Sequence, residues 1–192
     1  MRAVIATLLC AAFLVVPAHA GSVTGRATVD GTPASGGIVY LEGADSDPTL
    51  PSPRHAVMDQ KNLMFVPALL PIVRGTVVDF TNSDDVQHNV FSPSPAGGKF
   101  NLGTYGPGGG RSVTFNETGD VVVLCNIHME MEAHILVLAN RYFSTVAPDG
   151  RYQIESVPAG TYALRIWKGR WLPPGDKVDV SADGTLEVDV SR

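Results

Sequence analysis

The chain has 192 residues, room for one large or two small domains, and its 19 Asp and Glu against 14 Lys and Arg give a formal charge of −5. A mildly acidic surface of this kind excludes nucleic acid as the expected partner. Its 20 Gly and 14 Pro are spread between short apolar runs, which excludes an architecture of long helices.

The first twenty residues stand apart. Arg2 gives a positive start, residues 3–16 are an almost uninterrupted apolar run, and Ala18-His19-Ala20 is a small-x-small cleavage site. That is the pattern of a secretory signal peptide, predicted to be removed after Ala20. The apolar run is too short for a membrane anchor, and Cys10 lies in its middle after Leu9, where a lipoprotein would need a small residue. The expected mature chain starts at Gly21, has 172 residues and a charge of −6, carries no membrane span and lies in the periplasm. It keeps one cysteine, Cys125. In an oxidising compartment cysteines usually pair. A lone one is inert and buried, bridged to another chain, or bound to something.

Beyond the signal no stretch sustains helical periodicity. Runs at 23–29, 38–41, 76–81, 89–92, 112–115, 121–125, 135–138, 152–154, 162–167 and 186–190 read as strands, separated by Gly, Pro, Asn and Asp. Short strands with turn residues between them predict an all-β chain built of sandwiches. Three segments differ in content. Residues 21–43 hold strands around the turn signal Asp30-Gly31. Residues 55–140 hold a larger β unit with the metal-type side chains. Residues 144–192 hold further strands without them. The Asp-, Ser- and Pro-rich stretch 43–53 reads as a linker.

The chemistry is concentrated in residues 121–131. A buried strand, Val121-Val122-Val123-Leu124, runs into a loop with Cys125, His128 and Met131 at C-x2-H-x2-M spacing, and the next strand begins near Ala133. A tight loop of this length curls around one ion, with a thiolate at its start, an imidazole at its tip and a thioether at its end. Soft sulfur with imidazole selects copper, and two His, one Cys and a weak axial Met make the blue-copper set. The second imidazole must come from elsewhere. His88 fits, at the end of the polar turn 81–87 where another strand begins, and Asn89 beside it is expected to tie that segment to the Cys125 loop. Taken singly, each residue has a plain structural reading. A lone cysteine is commonly a small buried hydrophobe. Met129 is the rival axial ligand, but directly after His128 it is expected to point away. His55 and His134 read as structural or surface residues.

Here the residues resemble a known family. Phe65-Val66-Pro67, the stretch 75–84, His88-Asn89-Val90-Phe91 and the 125–131 loop are together similar to the cupredoxins, and the short loop resembles their amicyanin-like branch, with plastocyanin as a further relative. The resemblance covers residues 55–140. It implies a Greek-key β-sandwich, one mononuclear type 1 copper on His88, Cys125, His128 and Met131, one-electron transfer and a transient redox partner; since no residues suggest a substrate pocket, a catalytic triad or an acid/base pair, no enzymatic activity is expected. The whole chain is similar to exported proteins of the methylamine-utilisation type. One departure is Met129-Glu130, where amicyanin-like loops carry proline and an aromatic residue.

Residues 21–43 and 144–192 together resemble a carboxypeptidase regulatory-like domain, a small transthyretin-like β-sandwich. The likeness rests on Gly25, Asp30-Gly31-Thr32-Pro33, the run 38–41, Asp149-Gly150-Arg151-Tyr152 and the stretch 157–162. It implies that the copper unit is inserted into that sandwich; the alternative is an N-terminal hairpin and a separate C-terminal domain. Trp167 and Trp171 flank a Lys-Gly-Arg turn and are expected to pack rather than to bind carbohydrate. The glycine-rich stretch 103–112 lacks the lysine of a phosphate loop and precedes a strand, so it is expected to be a turn or a loop near the copper end. Asn116-Glu117-Thr118 is a formal glycosylation sequon with little meaning in a bacterial product. Two other functions compete with electron transfer: a copper carrier or storage protein, suggested by Met64 and the Met129-Glu130-Met131 cluster, and a structural envelope protein without metal.

Overall fold

The computed structural model describes residues 20–43, 54–95, 98–170, 172, 175, 177–182 and 184–191. The signal segment before Ala20, the linker at 44–53 and Trp171 lie outside the described residues. No helix among the described residues is long and apolar enough to cross a membrane.

The chain is all-β. In order its strands are β1 (Ala20–Val29), β2 (Thr32–Pro33), β3 (Ile38–Glu42), β4 (Arg54–Lys61), β5 (Met64–Val66), β6 (Leu69–Val73), β7 (Thr76–Asn82), β8 (His88–Ser92) and β9 (Phe100–Tyr105). They continue with β10 (Gly110–Phe115), β11 (Gly119–Leu124), β12 (Glu132–Leu138), β13 (Phe143–Thr145), β14 (Arg151–Pro158), β15 (Gly160–Trp167), β16 (Lys177–Val180), β17 (Thr185–Glu187) and β18 (Val190–Ser191).

These strands form four sheets. One has the order β14-β1-β17, with β2 and β18 also paired to β1, and another has the order β13-β3-β15-β16. Between them lies a core that includes Val23, Leu41, Ile154, Leu164 and Ile166. The other two sheets have the orders β10-β7-β4-β5 and β6-β12-β11-β8-β9. They enclose a second core that includes Met58, Phe80, Val90, Phe115, Val123 and Ile135. The first pair of sheets is thus drawn from both ends of the chain, and the second pair from its middle.

Side-chain periodicity explains the layering. In β14, Tyr152 and Ile154 are buried while Arg151, Gln153 and Glu155 are exposed, the alternation of a strand with one face in a core. The next buried residue is Val157, three positions on rather than two. A bulge opposite β1 adds the extra residue there, and Ser156 takes a positive φ of 56°. The runs 38–41 and 135–138 do not alternate, because both of their faces are covered. Val39 and Leu41 face one core and Ile135 and Val137 the other, while Ile38, Tyr40, Leu136 and Leu138 meet back to back with Trp167 in a third apolar cluster. The two sandwiches are therefore joined by buried surface rather than by a linker alone.

The Asp30-Gly31 turn forms as expected, with both residues at positive φ and Thr28 and Val29 pairing with Pro33 and Thr32. The glycine-rich stretch holds a turn, as expected, but a narrower one than 103–112. Residues 103–105 complete β9 and 110–112 begin β10, so only 106–109 turns.

Candidate metal centre

His88 opens β8 and Cys125 follows the last residue of β11. These strands are antiparallel neighbours, paired at Leu124 and Phe91, so the start of one and the end of the other lie at the same end of the sheet. The loop after Cys125 is closed by its own backbone. The Cys125 N–H donates to Met131 O at 3.2 Å and the Met131 N–H donates to His128 O at 3.1 Å. These two bonds fold residues 125–131 back on themselves and return the chain to β12.

The result is a cluster of three side chains, His88, Cys125 and His128, whose ligand atoms all lie within 4.8 Å of one another. The two Nδ1 atoms of His88 and His128 are 3.0 Å apart, and their rings meet edge to face at 4.8 Å. His88 is fully buried and Cys125 is 4 % exposed, while His128 is only partly covered. Met131 is 1 % exposed and belongs to the same apolar core as Cys125, whereas Met129 is 82 % exposed. Bonds of about 2.0–2.3 Å to one ion place ligands about 3.5–4 Å apart, so the cluster needs only sub-ångström to ångström adjustments to hold a metal. Two imidazoles and a thiol form a soft donor set suited to copper.

The turn that delivers His88 is braced from several sides. The Asn82 side chain is buried; its Nδ2 donates to Val86 O at 2.9 Å and to Tyr105 O at 3.2 Å, while its Oδ1 accepts the Asp84 N–H. The 106–109 turn lies against it, with the Asn82 N–H donating to Gly109 O and the Gly108 N–H donating to Asn82 O. The Tyr105 ring hydroxyl donates to Phe80 O and accepts from Gln60 Nε2, and burial pushes its pKa up to about 12.

Asp84 is the residue that sequence reasoning missed. Its Oδ2 is 2.8 Å from His88 Nε2 and 3.0 Å from the Leu63 amide nitrogen, and its Oδ1 is 2.6 Å from the Asn62 amide nitrogen. The Leu63 N–H bond, with the His88 and Asn62 bonds, holds the Asp84 carboxyl below the usual carboxylate range against the opposing effect of burial. A carboxylate accepts, so His88 Nε2 is the donor in this bond and Nδ1 is the ring atom turned toward His128 and the cluster. The only sequence signal was the acidic residue four positions before the histidine.

Asn89 corrects an expectation. Its Nδ2 donates to Asn101 Oδ1 at 2.9 Å, on β9, instead of reaching the Cys125 loop. His55 and His134 stay outside the cluster. His55 pairs with Asp79 at 3.1 Å on an exposed sheet face, and His134 pairs with Asp120 at 2.8 Å near Trp167.

No protein-family model matches the chain, and no curated protein does. Among solved structures, a reduced tryptophan-to-tyrosine mutant of amicyanin aligns at 18 % identity over 52 % of this chain and 98 % of its own, with a TM-score of 0.42. A copper-containing nitrite reductase from Thermus scotoductus aligns at 26 % identity over 50 % of this chain and 24 % of its own, with a TM-score of 0.41. A purple cupredoxin from Nitrosopumilus maritimus aligns at 24 % identity over 44 % of this chain and 99 % of its own, with a TM-score of 0.38. Over about half its length, the chain is thus similar to amicyanin and to a cupredoxin.

Proposed function

We propose that this protein is an exported type 1 copper protein that carries one electron at a time between partner proteins and is not itself an enzyme. The observation that carries this reading is the convergence of His88, Cys125 and His128 within 4.8 Å at one end of a sandwich, with Met131 buried beside them. Copper held there supplies a one-electron couple between Cu(I) and Cu(II). The chain's own residues do the rest. Cys125 binds as thiolate inside the core, where few waters reorganise when charge changes. His88 is locked from behind. His128, the partly exposed member of the three, is the edge through which an electron enters or leaves. His88, Cys125 and His128 are already gathered by strand ends and a hydrogen-bonded loop, so they would hold the ion with little movement of the framework.

In this reading residues 55–140 are the copper unit, inserted into a transthyretin-like sandwich made from 21–43 and 144–192. In the same reading residues 1–20 are a signal peptide and the mature chain works in the periplasm, and the docking interface is small and transient, as redox encounters require rapid release. One observation favours a second reading as a copper carrier. Met129 and Met64 are 82 % and 55 % exposed, and exposed thioethers suit the handling of Cu(I).

Loading the full chain with Cu(II), followed by visible and electron paramagnetic resonance spectroscopy and by redox titration, separates the two. A thiolate-to-copper charge-transfer band that bleaches and returns reversibly supports electron transfer. A colourless Cu(I) site that passes its ion to a chelator supports the carrier. Persistence of the colour in Cys125→Ser sinks the site assignment.

A further inference from the structure

We propose that Asp84 is a positioning residue: its carboxylate fixes the proton of His88 on Nε2, aims the Nδ1 lone pair at the metal site, and fastens this ligand to the β4–β5 turn. The consequence for copper rests on the function proposed above; the geometry does not.

Three donors converge on the one carboxylate. Asn62 and Leu63, both at positive φ of 55° and 57°, form the turn between β4 and β5 and send consecutive N–H groups to Oδ1 and Oδ2. Successive amides in this conformation make a concave anion seat. The third donor is His88 Nε2 at 2.8 Å. Asp84 is itself held by its N–H bond to Asn82 Oδ1 at 2.9 Å, so the carboxylate sits between two braced elements rather than on a free loop. His88 is fully buried, and Asp84 is 13 % exposed. The ring has no exposed surface of its own, and the carboxylate is its partner at Nε2. The opposite tautomer would put the Nε2 lone pair against a carboxylate oxygen, and a proton on Nδ1 would block the ligand atom. A metal-binding histidine commonly gives its other ring N–H to an acceptor of this kind, which orients the ring and raises its basicity.

The link also runs outward. Leu63 and Met64 are exposed beside the anion seat, so the surface turn and the buried ligand share a single carboxylate. Their positions are coupled through two hydrogen bonds.

The test uses the full chain as wild type, Asp84→Ala and Asp84→Asn. The first readout needs no metal. Nitrogen-15 NMR of the ring nitrogens in metal-free protein is expected to show the His88 proton on Nε2 alone in wild type. An Nδ1-protonated fraction should appear in Asp84→Asn and be larger in Asp84→Ala, since a neutral acceptor holds the N–H about half as strongly as a carboxylate. The second readout is Cu(I) affinity by chelator competition, expected to fall about 10- to 100-fold in Asp84→Ala and by less in Asp84→Asn. A drop in thermal stability with the tautomer unchanged and affinity within about threefold of wild type would show that Asp84 only closes the turn, and overturns the proposal. If Asp84→Ala does not fold, an unchanged tautomer in Asp84→Asn overturns it equally. A wild type that takes up no copper removes the function proposed above, while the ring-nitrogen spectra still decide the positioning role.

Discussion

Trp167 Nε1 donates a 3.0 Å hydrogen bond to Asp120 Oδ2, and this bond crosses from one sandwich to the other. Trp167 ends β15 and Asp120 lies in β11. The second oxygen of Asp120 is 2.8 Å from His134 Nδ1, and the His134 ring meets the indole at 5.1 Å. Together with the back-to-back packing of Ile38, Tyr40, Leu136 and Leu138, this makes the junction a small core with one polar chain running through it.

The first prediction concerns that junction. Trp167→Phe keeps most of the apolar contact and removes the donor, so it is expected to cost about 1 kcal/mol, the net value of one hydrogen bond. Leu136→Ala removes buried volume from the same cluster and is expected to cost about 2–5 kcal/mol. Chemical denaturation checks both. If the two sandwiches unfold as one cooperative unit in wild type and as two transitions in Leu136→Ala, the cluster is what couples them. A Leu136→Ala protein as stable as wild type would deny the junction that role.

The metal-type loop was legible because its candidate side chains are local. Cys125, His128 and Met131 share one turn, and their spacing alone says that they can face one ion. His88 was legible only as a histidine at a turn before a strand; what brings it to Cys125 is the antiparallel pairing of β8 with β11, which no short window of sequence displays. The Asp84–His88 bond was missed because a four-residue offset suggests neighbours on a helix, and here the chain is a turn braced by Asn82.

The β4–β5 hairpin was missed for a different reason. Gln60 is fully buried, with its amide nitrogen bonded to Thr81 O and Tyr105 Oη, so a polar residue occupies a core position and spoils the alternation that signals a strand. Its turn has Leu63 at positive φ, where a sequence reading looks for glycine. The run 38–41 was read correctly as a strand, yet its uniform apolarity carried more information than that: both faces are covered, and this is the signature of the junction.

The second prediction separates packing from ligation at Met131. The side chain is buried in the core beside Cys125, so Met131→Ala is expected to destabilise the metal-free protein by about 2–5 kcal/mol, the range for a buried methionine truncated to alanine. Met131→Leu conserves volume and is expected to cost less than about 1.5 kcal/mol. In the copper-loaded protein Met131→Leu should nonetheless shift the reduction potential, because the proposed axial thioether is lost while the packing is kept. Denaturation of the metal-free variants and voltammetry of the loaded ones read the two effects independently. An unmoved potential in Met131→Leu would leave Met131 as core filler only.

The third prediction concerns Gly25, where the chain passing from β17 to β18 runs parallel alongside β1. A Cβ on Gly25 would lie 1.9 Å from Val188 O, a carbonyl that also accepts the Tyr152 hydroxyl at 2.6 Å. The Val188 N–H in turn donates to Thr24 O at 2.8 Å. The obstacle is backbone held on both sides, so it cannot swing away as a flexible side chain would. Gly25→Ala is expected to cost about 2 kcal/mol or more, at the upper part of the range for overpacking. Amide hydrogen exchange should show the loss first in residues 184–191. A variant with wild-type stability and unchanged exchange there would mean that the neighbouring parallel segment moves aside without cost.

The last prediction is a pH dependence away from the metal-type cluster. The Asp79 carboxyl is held below its ordinary value, first by the Ser112 hydroxyl, which donates to Oδ1 at 2.6 Å, and next by His55 Nδ1, 3.1 Å from Oδ2. A carboxyl with a depressed folded-state pKa contributes stability that is fully present above the unfolded value near 4 and is lost as pH falls through the lower folded value. Stability measured by denaturation between about pH 5 and pH 2 should therefore fall as acid is added, and part of that fall should vanish in Asp79→Asn. Since the hydroxyl is the larger cause, Ser112→Ala should remove more of the acid-side dependence than His55→Gln. The pair is solvent-exposed, so screening keeps the effect small, and added salt should weaken the His55 share more than the Ser112 share. Equal acid-side slopes in wild type, Asp79→Asn and Ser112→Ala would show that these bonds do not outlast competition from water.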